Sequence, residues 1–397
     1  MPIHTILFVH SSNEMYGADL ILLQLVELLP ADQFRAVVVL PTDVSYKGLL
    51  SQALAERNIE TIHLKLAVLR RKYFTPFGFL IYLWRFCVSV IMLIYLIYRK
   101  DVSIVHSNTA AVIPGAVAAW LTCKPHVWHI HEIIVQPKIL SRFIAWLVPR
   151  LSDQIVAVSE ATKKYLCLAN SKNQLKTKVI YNGIDLNRFE SDLTEQNIIR
   201  QEWKISQNEL VVGMVGRISH WKGQHYFLQV AQAVLRDQPL VRFVLIGGVF
   251  PGQEHLVNEL EMLADQLRIR QSIVFGGFRQ DIPAVLNAFD IFVLPSILPD
   301  PFPTVVLEAM AAKLPIVANA HGGSVEMIEQ DVTGFLVEPN SINDMANAIK
   351  DLLSSEEHRR NMGQHGRLRL EQHFSLDAFL TKWLTLYKSL LITHTAV

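Results

Sequence analysis

The sequence predicts an α/β protein of two doubly wound domains, each a parallel sheet with helices on both faces. The chain of 397 residues is long enough for two domains of ordinary size. Short apolar runs of strand length alternate with segments of helix length, and the alternation starts again halfway along the chain. Gly (18 residues) and Pro (17 residues) are too few for a collagen-like or disordered chain.

Five buried strands are predicted in the first half of the chain. Each is a short, apolar and often β-branched run that precedes or follows a helix-length stretch. The runs are Ile3–Val9, Ala36–Leu40, Ser103–His106, His126–His131 and Gln154–Val158. This βαβ order is typical of a parallel sheet that is covered on both faces.

A second series of six strands is predicted after residue 208. The strands are Leu210–Val215, Val241–Ile246, Ser272–Phe275, Ile291–Leu294, Ile316–Ala318 and Gly334–Val337, with helices that include Gln224–Asp237, Gly252–Leu267 and Pro303–Ala312. A polar stretch near residues 185–208 joins the two series, and Asp377–Leu391 has the periodicity of an apolar helix. We therefore expect domains at residues 1–188 and 189–376, followed by a C-terminal helix within residues 377–397.

Composition and charge restrict the class of protein. The cysteines, Cys87, Cys123 and Cys167, have no C-x-x-C spacing, which excludes a disulfide scaffold and fits a reducing compartment. No signal peptide is recognisable at the N-terminus. Residues 1–185 carry 19 Lys and Arg against 12 Asp and Glu, whereas residues 186–397 carry 18 against 24. The basic first half predicts an anionic partner, such as a phosphate-bearing substrate or a membrane surface, with accidental asymmetry as the alternative.

Residues 77–98 form an apolar stretch in which Arg85 is the one charge. Its length suits a transmembrane helix. A span would, however, separate the strands Ile3–Val9 and Ser103–His106, which must share one sheet. Arg85 and Ser89, at positions i and i+4, also predict a narrow polar stripe along the helix. We therefore expect a helix or helical hairpin in the bilayer interface, with a merely buried helix and a spanning helix as the alternatives.

Common nucleotide-binding signatures are absent from the sequence. No G-x-G-x-x-G follows the first strand, and no G-x-x-x-x-G-K-[ST] occurs, which argues against a dehydrogenase and excludes a P-loop NTPase. The loop SSNEMYGADL instead places Gly17 at the carboxyl end of the first strand, where a helix N-terminus supplies N–H donors for a phosphate. A plain turn capped by Asn13 or Asp19 is the alternative.

The segment HVWHIHE carries a second group of candidate residues. Strand alternation places His129 and His131 on one face, and Glu132 follows them. The two histidines could be a pair of metal ligands, but no third ligand is evident in the sequence. A structural role for each histidine is the alternative.

The second half carries the strongest signal, a pair of cations beside a helix N-terminus. Arg217 and Lys222 lie in the loop GRISHWKG, where a guanidinium fork and a mobile ammonium can clamp a diphosphate. Asp300 precedes a helix that begins around Pro303, and Glu308 lies inside that helix, where a carboxylate can accept hydrogen bonds from ribose hydroxyls. A solvated surface charge is the alternative for any one of these residues alone.

Taken in order, these segments resemble the retaining GT-B glycosyltransferases, in particular the family-4 group, over most of the chain. SSNEMYGADL resembles the Gly loop of that group, and IVHSNT resembles the strand of its first half that faces the second domain. HIHE resembles its histidine loop, VIYNGID its interdomain hinge and GRISHWKG its diphosphate-binding loop. FGGFRQDIPAVLNAFDIFVLPS resembles the base-binding region and DPFPTVVLEAMA the E-x7-E element, followed by AHGGSVEMI and GFLVEP. The resemblance implies two Rossmann-like domains that face a cleft, with the C-terminal helix crossing back to the first domain.

The resemblance also implies a donor site. Arg217 and Lys222 would hold the diphosphate of a UDP- or GDP-type sugar, which is a substrate, so that neither a cofactor nor a metal ion is expected. Glu308 would bind the ribose, and Asp300 would face the transferred sugar. The donor-binding residues that it implies are Gly17, Arg217, Lys222, Asp300, Phe302, Pro303, Thr304, Val305 and Glu308.

In the first domain, the resemblance implies that His131 contacts the sugar and the reaction centre, with His129 as its rival by strand alternation. The expected catalytic residues are His131, Asp300, Arg217 and Lys222, and those expected on the acceptor or sugar side are Asn13, Tyr16, His129 and Glu132.

Three positions depart from the pattern of the family. Tyr16 stands at the first Gly of the usual Gly-Gly pair, Asp300 stands where a Glu is usual, and Pro303 replaces a Gly. Because proline has no N–H donor, contacts with the sugar would come from the amides of Thr304 and Val305.

The expected function is the transfer of a sugar from a nucleotide-diphosphate sugar to an acceptor, with the retention of anomeric configuration that the resemblance implies. We expect the acceptor to be a membrane-associated glycolipid, a lipid-linked glycan or a polysaccharide precursor. The expected location is cytoplasmic, peripheral on the cytoplasmic face of a membrane, without a nucleic-acid partner. A nucleotide-sugar epimerase of the same fold and a non-catalytic sugar-nucleotide-binding protein are the alternatives.

Overall fold

The structure is a computed structural model that describes residues 2–44, 47–171, 173–190, 193–250 and 252–395. Residues 191–192 of the predicted joint and 396–397 of the predicted C-terminal segment lie outside the described residues. The chain divides into two units: Met1–Asn182 and Asp377–Val397 form unit 1, and Gly183–Leu376 form unit 2. Each unit contains one parallel sheet with its connecting helices, which confirms the predicted fold class.

Unit 1 is built on a seven-stranded sheet with the order β3-β2-β1-β4-β5-β6-β7. The strands are β1 (His4–His10), β2 (Phe34–Pro41), β3 (Glu60–Leu64), β4 (Val102–Asn108), β5 (His126–Ile130), β6 (Gln154–Ala157) and β7 (Thr177–Val179). The five predicted strands are present with small shifts at their ends. The edge strands β3 and β7 were not predicted, because most of their residues are not fully buried and they form no apolar run.

Seven helices of unit 1 follow its strands or lie between them. They are α1 (Gly17–Leu28), α2 (Leu49–Glu56), α3 (Pro76–Arg99), α4 (Ile113–Leu121), α5 (Lys138–Leu151), α6 (Glu160–Ala169) and α7 (Asn173–Lys176). The first of these helices, α1, includes Gly17 of the predicted phosphate-binding loop. The helix starts at Gly17 because Asp19 Oδ2 accepts a hydrogen bond of 2.9 Å from the Tyr16 amide, which satisfies a donor at the first turn.

The apolar helix α3 is one continuous helix of 24 residues rather than a hairpin. The Thr75 hydroxyl caps it by accepting a hydrogen bond of 3.1 Å from the Gly78 amide. The next element, β4, pairs with β1 in parallel, so that Val102 lies opposite Thr5. The strands before and after α3 therefore share one sheet, as the sequence argument required.

The polar stripe of α3 faces the interior of unit 1. The buried Ser89 hydroxyl donates to the Arg85 carbonyl at 2.7 Å and accepts from the Ala67 amide at 2.8 Å. The Arg85 guanidinium donates to the Tyr73 hydroxyl at 3.0 Å. This placement corrects the interpretation of Arg85 and Ser89 as the polar side of an interfacial helix, because both residues anchor α3 to its own domain.

Unit 2 is built on a six-stranded sheet with the order β10-β9-β8-β11-β12-β13. The strands are β8 (Leu210–Val215), β9 (Val241–Ile246), β10 (Ile273–Gly277), β11 (Ile291–Leu294), β12 (Ile316–Asn319) and β13 (Gly334–Val337). The helices are α8 (Leu193–Glu202), α9 (Gln224–Leu235), α10 (His255–Gln266), α11 (Ile282–Asn287), α12 (Thr304–Ala311), α13 (Ser324–Met327), α14 (Ile342–Ser354) and α15 (Glu356–His373). The strands β8, β9, β11 and β13 have the predicted bounds, because each is a separate apolar run.

The C-terminal helix, α16 (Leu376–Thr395), packs on the sheet of unit 1. The buried Tyr387 hydroxyl lies 2.7 Å from His106 Nδ1, and the buried Trp383 ring lies 4.8 Å from the His129 ring. These contacts confirm that the last helix returns to the first domain.

Candidate active site

The loop between β8 and α9 carries the two predicted cations at the carboxyl edge of the sheet of unit 2. Gly223 ends this loop with a φ of 83°, and a Cβ atom there would lie 2.0 Å from the Pro295 carbonyl oxygen, so that only glycine fits. The buried Gln224 side chain donates a hydrogen bond of 3.0 Å to the Arg217 carbonyl. Sequence reasoning missed Gln224, which holds the loop in place by joining its ends.

Arg217 and Lys222 each lie over an aromatic ring. The Arg217 guanidinium is 4.0 Å from the centre of the Phe250 ring, and the Lys222 ammonium is 4.4 Å from the centre of the Trp221 ring. The Lys222 ammonium also forms an ion pair with the carboxylate of Asp300. A diphosphate that binds Lys222 would therefore compete with Asp300, so the two residues are electrostatically coupled.

Asp300 is held tightly between β11 and α12. It is only 7% exposed, and its carbonyl oxygen accepts a hydrogen bond of 2.7 Å from the Gly323 amide. Gly322, with a φ of 63°, passes so close that a Cβ atom would lie 2.3 Å from the same oxygen. The segment AHGGSVEMI thus fixes the backbone that presents the Asp300 carboxylate to Lys222.

The N-terminus of α12 presents the expected amides. Pro303 is its N-cap residue, and Thr304 and Val305 are its first two residues, whose N–H groups have no acceptor within the helix. Phe302, expected among the donor-binding residues, is buried, and the centre of its ring lies 5.7 Å from that of Phe374, with 61° between the ring planes. The structure therefore places the Phe302 ring in the core beside the site.

Glu308 lies one turn inside α12. Burial raises the pKa of its carboxyl group to about 7, and the positive charge of Arg188 acts in the opposite direction. Arg188 belongs to the short 3-10 turn Leu186–Phe189, directly after the segment VIYNGID that resembles an interdomain hinge. Glu308 is therefore a carboxylate whose ionisation changes near neutral pH.

His321 is a further residue that sequence reasoning did not single out. Both of its ring nitrogens are buried and have no hydrogen-bond partner among the described residues. Burial lowers the pKa of His321, and the charge of Asp300 acts in the opposite direction. A neutral histidine with free polar atoms near Asp300 is suited to contact a sugar hydroxyl.

In unit 1, hydrogen bonds to α2 hold the loop before α1 in place. The buried Asn13 Oδ1 accepts hydrogen bonds of 2.9 and 2.7 Å from the amide and hydroxyl of Ser51. Gly17 is exposed at the first position of α1, and Tyr16 is half-buried before it. Asn13 thus supports the loop from α2, and the backbone at Gly17 is accessible at the helix N-terminus.

The two candidate histidines, His129 and His131, differ in their exposure. His129 is fully buried with its ring against Trp383, whereas His131 follows the strand and is half-buried. The His131 Nε2 atom lies 2.9 Å from Asn108 Oδ1 and 3.1 Å from His129 Nδ1. Burial lowers the pKa of His131 to about 3, so the ring is neutral at physiological pH. Of the two, His131 is the one that a ligand could reach.

Glu132 turns back onto its own domain. Its carboxylate accepts hydrogen bonds of 3.0 Å from the amides of Ala110 and His131, and burial raises its pKa despite them. The side chain therefore fixes the loop after β4. In the part of the chain that the structure describes, no group of three His, Cys, Asp or Glu residues is arranged to hold a metal ion.

A doubly wound unit with paired cations, a carboxylate and helix N-terminal amides at the carboxyl edge of its sheet fits the donor domain of a GT-B glycosyltransferase. Two family models match the chain: "Glycosyl transferases group 1" over residues 195–369 and "Glycosyltransferase Family 4" over residues 17–188. The two matches lie side by side and together span most of the chain, so the chain belongs to the GT-B glycosyltransferases.

Three known proteins illustrate the relationship. Spore coat protein SA of Bacillus subtilis is 31% identical over 59% of this chain and 64% of its own length, so the match covers less than two thirds of that protein. The UDP-Gal:alpha-D-GlcNAc-diphosphoundecaprenol alpha-1,3-galactosyltransferase of Escherichia coli is 26% identical over 66% of this chain and 69% of its own length. The structure of Anabaena HepE in complex with UDP-glucose aligns with 97% of this chain and 99% of its own, with a TM-score of 0.82 and 26% identity.

Proposed function

We propose that the chain transfers a glycosyl group from a UDP-type nucleotide sugar and that Arg217 and Lys222 hold the diphosphate of this donor. The observation that carries the proposal is the loop between β8 and α9, which brings both cations to the carboxyl edge of one sheet. As the glycosidic bond breaks, negative charge builds on the leaving diphosphate, and fixed cations stabilise it. The UDP-glucose complex of HepE supports the choice of a uridine nucleotide.

We propose retention of the anomeric configuration, supported by the resemblance of DPFPTVVLEAMA to the E-x7-E element. In this proposal Asp300 faces the transferred sugar and Glu308 binds the ribose. The pair of cations takes the place of a metal ion, so we expect transfer to be independent of added divalent metal.

The acceptor that we propose is a lipid-linked glycan or a precursor of a surface polysaccharide. The name of the Escherichia coli relative contains a diphosphoundecaprenol acceptor, which is a lipid. The exposed face of α3 supports a lipid environment for this chain. Its apolar side chains, each at least 43% exposed, are Phe77, Phe79, Leu80, Leu83, Trp84, Ile91, Tyr95 and Tyr98.

We propose that α3 binds a membrane surface without crossing it. The helix is long and apolar enough to span a membrane, because an 18-residue stretch of it has a mean hydropathy of 2.2. Only a third of that stretch is buried in the protein. The exposed apolar face argues against the alternative of a merely buried helix. Exposed Arg71 and Arg99 at its two ends can contact anionic headgroups. The protein would then be peripheral on the cytoplasmic face of a membrane.

Incubation with a panel of UDP- and GDP-sugars tests the proposed reaction. Transfer or slow hydrolysis releases a free nucleoside diphosphate, an epimerase converts the sugar without releasing it, and a binding protein does neither. We expect release with at least one UDP-sugar. Conversion of the sugar without release would contradict the proposal, and so would binding without any turnover.

A further inference from the structure

A chain of hydrogen bonds runs through the interior of unit 1 from α1 to His131. Asp19 Oδ1 lies 2.8 Å from His10 Nε2, His10 Nδ1 lies 2.9 Å from Asn108 Nδ2, and Asn108 Oδ1 lies 2.9 Å from His131 Nε2. His10, Asp19 and Asn108 are each at most 2% exposed. Sequence reasoning singled out Asp19 only as a possible helix cap and did not single out His10 or Asn108.

The orientation of the Asn108 amide determines where the protons lie. Asn108 Nδ2 is 3.3 Å from the Ala18 carbonyl, which can only accept, so the atom that faces it is the amide nitrogen. The other amide atom is then the oxygen, which faces His131 Nε2. His129 Nδ1 also lies 3.1 Å from His131 Nε2. Since an amide oxygen cannot donate, a proton on His131 Nε2 is the arrangement that gives both Asn108 Oδ1 and His129 Nδ1 a donor.

The same reasoning fixes His10. The Asn108 amide nitrogen donates to His10 Nδ1, so this atom has no proton, and His10 Nε2 donates its proton to Asp19. Burial acts to raise the pKa of Asp19, but the hydrogen bond from His10 and that from the Tyr16 amide hold it below its ordinary value. An ionised Asp19 therefore ends this chain of hydrogen bonds, and its carboxylate accepts one hydrogen bond from His10 and one from the Tyr16 amide.

We propose that His10, Asp19 and Asn108 are positioning residues that hold His131 in one neutral tautomer, with Nδ1 as an accepting atom for a hydroxyl group of the substrate. The proposal rests on the proposed function, because it assigns these residues to the same reaction. Asp19 also holds the amide of Tyr16, next to Gly17. The three residues thus tie the start of α1 and the His131 ring into one rigid arrangement.

Nitrogen NMR of protein labelled with ¹⁵N-histidine reads the tautomer directly and needs no activity. The His131 signals are assigned by comparison with a His131→Gln variant. We expect a protonated shift for His131 Nε2 and an unprotonated shift for His131 Nδ1. A protonated Nδ1, or a ring that averages between the two tautomers, would overturn the proposal.

Two substitutions at His10 then test the effect on turnover. His10→Leu removes the acceptor and the donor, and we expect the His131 ring to lose its single tautomer and kcat to fall by about 10-fold or more, with KM for the donor nearly unchanged. His10→Gln keeps an accepting oxygen and a donating nitrogen, and we expect it to restore both the shift and most of kcat. Equal losses in the two variants would contradict a positioning role.

His126 provides the matched control. It is also a buried histidine, on β5, but it bonds to Ser107 and lies outside the chain from Asp19 to His131. We expect His126→Leu to leave the His131 shifts and kcat unchanged, and an equal loss there would overturn the proposal. If His10→Leu does not fold, the spectrum of the wild type still decides. If the wild type releases no nucleoside diphosphate, the proposed function fails, and the His131 shifts alone support or overturn the inference.

Discussion

The two units present different chemistry. Unit 2 gathers charged groups, among them the Lys222–Asp300 ion pair and Arg217, in loops at the carboxyl edge of its sheet. Unit 1 instead presents the neutral His131, set by buried partners, and the apolar face of α3. Charged loops suit the binding of a diphosphate, whereas neutral donors, acceptors and apolar surface suit a sugar and a lipid. In the proposed function, unit 2 therefore binds the donor diphosphate, and unit 1 provides surfaces for neutral or lipid groups.

The largest effect is expected from the apolar face of α3. Replacing Leu83, Ile91 and Tyr95 with Gln removes roughly 1.5 kcal/mol of burial each, so partition onto anionic vesicles should fall by about 1,000-fold. Ile94 is left unchanged because it packs against the core of unit 1. Vesicle sedimentation measures the partition, and salt should weaken the binding of the wild type only in part.

Two further results would contradict the role proposed for α3. Leu240 and Leu368 of unit 2 are also exposed, and their substitution by Gln should leave the partition unchanged. An equal loss there would show that α3 has no special role. Protease protection that places residues 1–70 and 103–397 on opposite sides of a vesicle would contradict a surface location.

The next largest effect is expected in the charged loop of unit 2. Arg217→Ala and Lys222→Ala each remove a charge-assisted bond worth about 1.5–3 kcal/mol, so turnover of the donor should fall about 10- to 100-fold. Rates of nucleoside diphosphate release measure the loss, and circular dichroism checks the fold. Full activity in either variant would contradict the assignment of these cations.

A smaller effect is expected to separate Asp300 from Glu308. Asp300→Ala should lower kcat by about 10-fold, because it removes the carboxylate proposed to face the reacting sugar, while the freed Lys222 keeps donor binding intact. Glu308→Ala should mainly raise KM for the donor. Steady-state kinetics with the donor varied would reveal exchanged roles as the opposite pattern.

The smallest effect is expected from pH. Because burial raises the pKa of Glu308 to about 7, its carboxyl group is mostly protonated at pH 6 and mostly ionised at pH 8. An ionised carboxylate accepts ribose hydroxyl hydrogen bonds better, so donor affinity should rise by about 5-fold over this range. Titrations of Glu308→Gln with the donor should show a flat profile, and an affinity that falls as pH rises would refute the assignment.

The sequence predicted the fold well and the contacts of the site less well. Strands such as β8 and β9 were located because each is a continuous apolar run, whereas the half-exposed edge strand β3 has no such pattern. Arg217 and Lys222 were predicted because their loop is directly followed in the sequence by the start of α9. The ion pair between Lys222 and Asp300 was not predicted, although both residues were, because they lie 78 residues apart in the sequence.

Long-range contacts also explain what was missed in unit 1. His10 and Asn108 are 98 residues apart, and only the pairing of β1 with β4 brings them together. Each taken alone is a polar residue at the end of an apolar strand, which is equally compatible with a turn. Likewise, the periodicity of Arg85 and Ser89 showed that they share one side of α3 but not whether that side faces solvent or the core.

The most direct test of the account is the binding of UDP to unit 2, measured by isothermal titration calorimetry with three forms of the full chain. Lys350 provides a matched control, because it forms an ion pair with Asp237 in the same unit, as Lys222 does with Asp300. We predict that Lys222→Ala weakens UDP binding by about 10-fold or more and that Lys350→Ala leaves it at the level of the wild type. Unchanged binding in Lys222→Ala, or an equal loss in both variants, would contradict the assignment of Lys222 to the donor diphosphate.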